Sequence, residues 1–152
     1  MSVRVQHQVF DLALEQAALH QADPAVGALV SFVGYVRDVH ENVGVEGMLL
    51  EHYPGMTETA LQAIVDEARS RWPLLRVSVI HRVGQLLPAD PIVFVGVVSP
   101  HRAAAFAACE FIMDYLKTRA PFWKKETTAS GTRWVEARET DDAAAARWES
   151  KA

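Results

Sequence analysis

The chain contains a single cysteine, Cys109, among 152 residues. One cysteine cannot form an internal disulfide, and the sequence lacks the CxxC and HExxH spacings that zinc sites use. It has no apolar run near the roughly 18 residues of a membrane span, and no apolar stretch behind a basic N-terminus that would indicate a signal peptide. We therefore expect a cytoplasmic protein that binds neither a metal nor a membrane.

Positive charge is also scarce. The chain has 15 lysines and arginines against 19 acidic residues, which gives a formal net charge of −4. Proteins that bind nucleic acids usually present a basic face or stripe, so this class is not expected. The phosphate loop GxxxxGK[ST] is absent as well, which argues against a phosphoryl-transfer enzyme of that type. Any cationic site must be local, set in an acidic protein.

What the chain does contain is typical of a globular domain. Half of its residues are hydrophobic and 22% are charged, and a chain of this length can bury roughly two-thirds of its surface without crosslinks. No internal repeat or low-complexity linker interrupts it. The sequence therefore predicts one domain over residues 1–152.

Strands and helices are predicted in an interleaved order, without a clean βαβ repeat, which indicates the α+β class. The segment 38–46 is polar and predicted as a loop. Hydrophobic periodicity and turn residues predict strands over residues 3–10, 27–37, 47–53, 76–83 and 92–99, and a hairpin of 123–128 with 132–137. Helices are predicted over residues 11–20, 57–72 and 99–119, with a last short one from 141.

Three local patterns carry more specific expectations. Asp11 is a plausible N-cap for the first helix. Gly34 inside a strand indicates a bulge or the close approach of another group. The apolar run 92–99 has the length of a strand and is expected to be buried on both faces.

A basic pair lies at the start of the long helix predicted after residue 99. Ser99 and Pro100 are predicted as its N-cap and first residue, which puts His101 and Arg102 in the first turn. The helix dipole disfavours cations there by up to about 1 kcal/mol, whereas the free N–H groups at the same end bind anions. A bound phosphate would use both features. The alternative, that both side chains lie in solvent, remains open.

Two lysines flank the predicted end of the same helix. Lys117 lies near its C-terminus, where a capping role would suffice, and Lys124 follows the helix-breaking Pro121. A chain that folds back here could bring the two ammonium groups together. That would depress the pKa of one lysine and prepare it as a base or a nucleophile. A solvated basic surface is the competing interpretation.

Other candidates give weaker signals. Arg37 ends an apolar strand and could bind a phosphate bidentately, although a surface arginine without a role fits equally. Glu126 and Arg138 are isolated charges. His81, like the other histidines, has no ligand spacing and is interpreted as a packing or surface residue. Cys109 lies among small apolar residues and is interpreted as buried and unreactive.

Four segments together resemble the molybdopterin synthase large-subunit family. They are SFVGYVR (31–37), LEHYPGM (50–56), SPHR (99–102) and YLKTRAPFWKKE (115–126). The resemblance extends from about Phe32 to Trp148. It implies an α/β hammerhead-type domain with an additional antiparallel β-subdomain. It also implies a homodimer that carries a small ubiquitin-like subunit at each end, as a heterotetramer.

The resemblance further implies a sulfurtransferase of molybdenum cofactor biosynthesis that needs no cofactor. The substrate would be cyclic pyranopterin monophosphate, and the small subunit would deliver two dithiolene sulfurs as its C-terminal thiocarboxylate. By resemblance, the catalytic residues are Lys117 and Lys124. An anion and pterin pocket would form from Arg37, His101, Arg102 and Arg138, with Glu126 orienting a lysine and with Phe32 and Met113 lining the pocket.

The chain departs from the family pattern in two places. The segment 38–46 lacks the asparagine-rich sequence expected after the arginine, and the first 25 residues match only loosely. A non-catalytic module that binds a pterin or a phosphate is the alternative from another class. Such a relative could lose both Lys117 and Lys124, whereas this chain keeps both.

Overall fold

In the computed structural model, residues 2–135 and 139–149 are described. Within these ranges no helix is both long and apolar enough to cross a membrane. The helices are α1 (Leu12–His20), α2 (Met56–Arg71), α3 (Arg102–Arg119) and α4 (Glu139–Ala146). The strands are β1 (Val3–Gln6), β2 (Ala28–Tyr35), β3 (Val39–His40), β4 (Val43–Gly44), β5 (Gly47–His52), β6 (Arg76–Arg82), β7 (Gly84–Leu86), β8 (Pro91–Ser99), β9 (Phe122–Thr128) and β10 (Gly131–Val135). The predicted mixture of interleaved helices and strands is confirmed.

The first sheet has the strand order β1-β6-β8-β2. β1 runs parallel to β6, and the other pairs are antiparallel. One face packs against α2 and α3 through a core that includes Val79 and Phe111, and the opposite face carries α1 over Ile80 and Phe94. Residues 93–99 of β8 are all buried. The prediction of a strand covered on both faces is therefore confirmed.

The second sheet has the order β10-β9-β5-β7 and is antiparallel throughout. Its small core is built around Leu50 and Leu86. Pairing of β9 with β10 confirms the predicted hairpin as far as Val135, while positions 136 and 137 lie outside the described residues. Phe122 at the start of β9 packs against the cores of both sheets, which joins them at this point.

Two predictions about local structure are wrong. The segment 38–46 is not a plain loop, because β3 and β4 pair across a tight turn in which Glu41 and Asn42 have φ values of 53° and 62°. Asparagine tolerates this left-handed conformation better than most residues. The strand predicted over residues 3–10 ends at Gln6, opposite Arg82, where its partner β6 also ends.

The start of α3 also differs from its prediction. Ser99 is the last residue of β8 rather than an N-cap. Its buried hydroxyl donates to the Pro73 carbonyl at 2.8 Å and accepts the His101 N–H at 3.1 Å. The helix begins at Arg102, with His101 at the N-cap position. Sequence patterning located the basic pair at the helix end correctly but placed that end two residues early.

The N-cap of α1 and the buried face of α2 agree with the sequence. Asp11 caps α1, since its side chain accepts the Leu14 N–H at 3.1 Å. α2 spans almost the predicted range, and its expected apolar face is buried: Leu61, Ile64, Val65 and Ala68.

Candidate active site

A cavity of about 380 Å³ opens between the two sheets, at the C-terminal end of α3. Its wall combines three cations, two acids and two histidines with apolar and aromatic side chains. The polar residues are Arg37, Lys117, Lys124, Glu126, Asp141, His40 and His81, and the others include Tyr35, Met48, Ile92, Leu116 and Phe122. Such a wall suits a ligand that carries both negative charge and a flat apolar part.

The chain reverses direction between α3 and β9, and this turn shapes the cavity. Ala120 has an extended backbone (φ −89°, ψ 132°), and Pro121 cannot continue a helix. Thr57, which is fully buried in the first turn of α2, donates its hydroxyl hydrogen to the Pro121 carbonyl at 3.0 Å. The same hydroxyl accepts the Tyr53 N–H at 3.0 Å. The first turn of α2 therefore fixes the turn that brings β9 back beside α3.

This reversal brings Lys117 and Lys124 to the wall of one cavity. Lys117 lies in the last turn of α3 and Lys124 lies in β9. Burial, followed by the charge and proximity of the Lys117 side chain, lowers the pKa of Lys124 to about 8, against the opposing charges of Asp141 and Glu126. The pair can therefore exchange a proton near neutral pH.

Lys125 points away from the cavity. Successive side chains of a strand lie on opposite faces, and the Lys125 ammonium is 5.3 Å from the centre of the Trp134 ring. The residue does not belong to the cavity wall. It therefore provides a control of the same chemical type, one position along the same strand from Lys124.

Glu126 is only 3% exposed. Its hydrogen bonds within the described ranges come from His40 Nδ1 at 2.8 Å and Arg133 Nε at 3.2 Å. Arg133 also donates to the His40 carbonyl at 3.1 Å. The carboxylate thus ties the β3–β4 hairpin to β9 and β10, and it acts on Lys124 through its charge. The expectation that Glu126 orients a lysine remains a prediction.

Arg37 reaches the cavity wall from just beyond β2. The pairing of β2 with β8 shifts register between Gly34 and Tyr35. A Cβ atom at Gly34 would lie 2.9 Å from Val93 Cγ1. The sequence predicted a bulge or a close approach at Gly34, and both are present. A bulge re-aims the side chains that follow it, which here include Tyr35 and Arg37.

His101 and Arg102 are exposed at the opposite end of α3 from the lysines. At 1.5 Å of rise per residue, the fifteen steps from Arg102 to Lys117 span roughly 22 Å. Neither residue lines the cavity. Within one chain the structure therefore separates the predicted anion site from the lysine pair.

Two further predicted residues do not line this cavity. Phe32 is 41% exposed on β2, which is an edge strand of the first sheet. Met113 of α3 is partly buried and packs against the core of the first sheet. Neither lines the cavity, and Arg138 lies outside the described residues. Their assigned roles remain predictions.

The structure adds wall residues that sequence reasoning missed. His81, interpreted as a packing or surface residue, is 3% exposed and lines the cavity. The sequence did indicate that His81 is buried, because His81 continues the alternating row of Val77 and Val79 in a buried strand. His40 and Asp141 gave no comparable signal, since each lies in a polar segment whose tertiary position the sequence does not reveal.

Comparisons with known proteins agree with this architecture. Residues 5–119 match the model of the family described as MoaE protein. The chain is 62% identical over 149 residues to the molybdopterin synthase catalytic subunit of Pseudomonas aeruginosa, covering 98% of this chain and 99% of that protein. It is 60% identical over 141 residues to that of Escherichia coli, covering 93% of each.

Solved structures give the same result. The chain is similar to the molybdopterin biosynthesis MoaE protein from Burkholderia ambifaria, with 59% identity, a TM-score of 0.83 and coverage of 97% of each chain. It is also similar to molybdopterin synthase from Staphylococcus aureus, with 32% identity and a TM-score of 0.81 over 87% of this chain and 95% of that one. On the extent of the family match and the identity to these relatives, the chain belongs to the MoaE protein family.

Proposed function

We propose that this protein is the catalytic subunit of a molybdopterin synthase. In this role it converts cyclic pyranopterin monophosphate to molybdopterin by inserting two dithiolene sulfurs. The sulfurs arrive as the C-terminal thiocarboxylate of a small ubiquitin-like carrier subunit. The names and high identity of the full-length relatives support this assignment.

The observation that carries the proposal is the lysine pair in the cavity. Phosphate and thiocarboxylate are both anions, and Lys117 and Arg37 supply positive charge in the cavity wall. Lys124, whose pKa is lowered to about 8, can accept and return protons near neutral pH, which is the requirement for a general acid–base group. A fixed ammonium group also stabilises negative charge that develops on an oxygen during sulfur transfer.

The family's assembly and fold description are part of the proposal. The chain would act in the cytoplasm as one domain of the α/β hammerhead type, with the β10-β9-β5-β7 sheet as the additional antiparallel part. Two copies would form a homodimer and bind two small subunits. Because Arg102 and Lys117 lie at opposite ends of α3, one substrate can contact both only across two chains.

Reconstitution tests the whole proposal. The purified chain is mixed with the thiocarboxylated small subunit and cyclic pyranopterin monophosphate, and the dithiolene product is assayed. The same mixture with a small subunit that ends in an ordinary carboxylate is the control. We expect product only with the thiocarboxylate. Substrate binding without any product would favour the non-catalytic pterin-binding alternative.

Arg102→Ala is expected to weaken substrate binding by about ten-fold or more, because a charge-assisted hydrogen bond contributes roughly 1.5–3 kcal/mol. His101 would bind the same phosphate, with Arg37 assisting. Titration of the cyclic pterin into wild type and variant measures the effect. Arg4→Ala removes a surface arginine paired with Glu15 and serves as the control. An unchanged affinity in Arg102→Ala would remove this residue from the site.

Cys109→Ala is expected to retain near-wild-type turnover. Burial raises the pKa of the Cys109 thiol to about 11, so little thiolate exists at neutral pH, and the transferred sulfur belongs to the partner. A modest decrease in thermal stability is the only expected cost, since the side chain fills a small space in the core. A folded but inactive variant would contradict the assignment of the partner as sulfur donor.

A further inference from the structure

His81 occupies an unusual position in β6. Val77 and Val79 precede it on the same face of the strand and belong to the core under α2 and α3. His81 continues this row, is 3% exposed and forms part of the cavity wall. Its ring stacks on Phe122 from the other sheet, with centroids 3.8 Å apart and an angle of 20° between the planes. The row of apolar side chains on this face of β6 therefore ends at the cavity with the imidazole of His81.

The hydrogen bonding of the His81 ring determines its tautomer. Nδ1 lies 2.8 Å from the Arg82 carbonyl oxygen, which can only accept, so Nδ1 carries the hydrogen. Burial, supported by the charges of Lys124 and Lys117, lowers the pKa of His81 to about 3 and keeps the ring neutral. Nε2 therefore holds a lone pair. Within the described ranges it has no hydrogen-bond partner, and it is not among the atoms sealed from solvent.

Three of the other polar side chains in the wall are hydrogen-bond donors only. They are Arg37, Lys117 and protonated Lys124, which balance negative charge but cannot accept a hydrogen bond. Of the two acids, Glu126 already accepts two hydrogen bonds, and Asp141 brings a negative charge. A ligand with an N–H or O–H donor beside its anionic group therefore needs an acceptor that adds no charge, and Nε2 of His81 is such an atom.

We propose that His81 contacts the bound ligand and accepts a hydrogen bond from an N–H donor of its heterocycle, next to the Phe122 ring. The inference rests on the proposed function, which supplies a reduced pterin rich in N–H groups as the ligand. His81 thereby selects for the ring, whereas the cations bind the anionic group.

Two substitutions separate the contact with the ligand from the structural bond. In His81→Asn the side-chain amide replaces Nδ1, so it can keep the bond to Arg82, but no atom replaces Nε2. In His81→Gln the amide oxygen reaches the position of Nε2, so an acceptor remains. We expect His81→Asn to weaken binding of cyclic pyranopterin monophosphate by about five- to ten-fold, the loss of one hydrogen bond. His81→Gln should stay within about two-fold of wild type.

Inorganic phosphate is the control ligand, since it lacks the ring, and its affinity should be the same in wild type and both variants. Equal pterin affinity in His81→Asn and wild type would overturn the proposal, and so would an equal loss of pterin and phosphate binding. If wild type itself failed to bind the pterin, the proposed function would fail instead.

Nuclear magnetic resonance of the wild-type protein gives a measurement that needs no variant. In ¹⁵N-histidine-labelled protein, His81 should show a protonated Nδ1 and an unprotonated Nε2. The Nε2 resonance should move when the pterin is added and stay in place with inorganic phosphate. A protonated Nε2, or no movement on saturation with the pterin, would contradict the assignment.

Discussion

Lys117→Ala is expected to abolish product formation or reduce it by at least about 100-fold, the low end of a general acid–base loss. The substitution removes the ammonium group proposed to stabilise developing negative charge, and it also removes the side chain whose charge and proximity lower the pKa of Lys124. Without Lys117 the pKa of Lys124 should rise, since two of the causes that lower it disappear. Turnover in the reconstituted system measures the first effect, and the pH dependence of turnover in a residually active variant measures the second.

The neighbouring lysines provide the controls for this experiment. Lys124→Ala should also be severely impaired. Lys125→Ala should retain most activity, because its side chain lies over Trp134 on the other face of β9. All three variants should bind the small subunit, since a subunit interface is much larger than one side chain. An active Lys117→Ala enzyme, or a greater loss in Lys125→Ala than in Lys124→Ala, would show that the chemistry lies elsewhere.

A mixed dimer of one Lys117→Ala chain and one Arg102→Ala chain is expected to regain about half of the wild-type activity at a substrate concentration below the dissociation constant, where each parent homodimer is strongly impaired. The two residues lie roughly 22 Å apart along α3 in one chain, so a shared substrate requires one residue from each chain. In the mixed dimer one of the two sites combines an intact lysine with an intact arginine. Two affinity tags allow this dimer to be purified and assayed.

A second mixed dimer has the same two substitutions in a different arrangement. It pairs a wild-type chain with a chain that carries both Lys117→Ala and Arg102→Ala. If each site uses both chains, neither site is intact and the dimer should be strongly impaired. If each site uses one chain, this dimer should be half active and the first one impaired. That reversed pattern would refute the shared site.

The sequence offered the approach of Lys124 to Lys117 as one of two interpretations, because its determinants are local. A long helix, the helix-breaking Pro121 and a strand of β-forming residues lie consecutively in the chain, so their reversal could be inferred before the structure was known. The buried face of α2 was predicted for the same reason, because a period of 3.6 residues needs only a short window. Burial of Lys124 beside Lys117 was the further consequence of this arrangement.

Features that depend on distant partners were not predictable in the same way. His40 and Glu126 are 86 positions apart. Nothing in the polar sequence of segment 38–46 indicates that its histidine will form a hydrogen bond with a buried carboxylate. The separation of His101 from the cavity follows from the length and direction of α3, which matter only once the lysines are located at its other end. His81 could have been identified from its place in an apolar row.

Burial of Lys124 beside Lys117 lowers the stability of the protein at neutral pH. The folded-state pKa of Lys124 is about 8, below its ordinary value, so folding disfavours the protonated form. Below pH 8 the lysine is protonated in both the folded and the unfolded chain, and the destabilisation is fully present. It decreases as the pH rises from 8 towards the unfolded-state value. An anion bound between the lysines would offset both the cost of burying this charge and its repulsion by Lys117, so the ligand that the site is proposed to hold would also stabilise the fold around it.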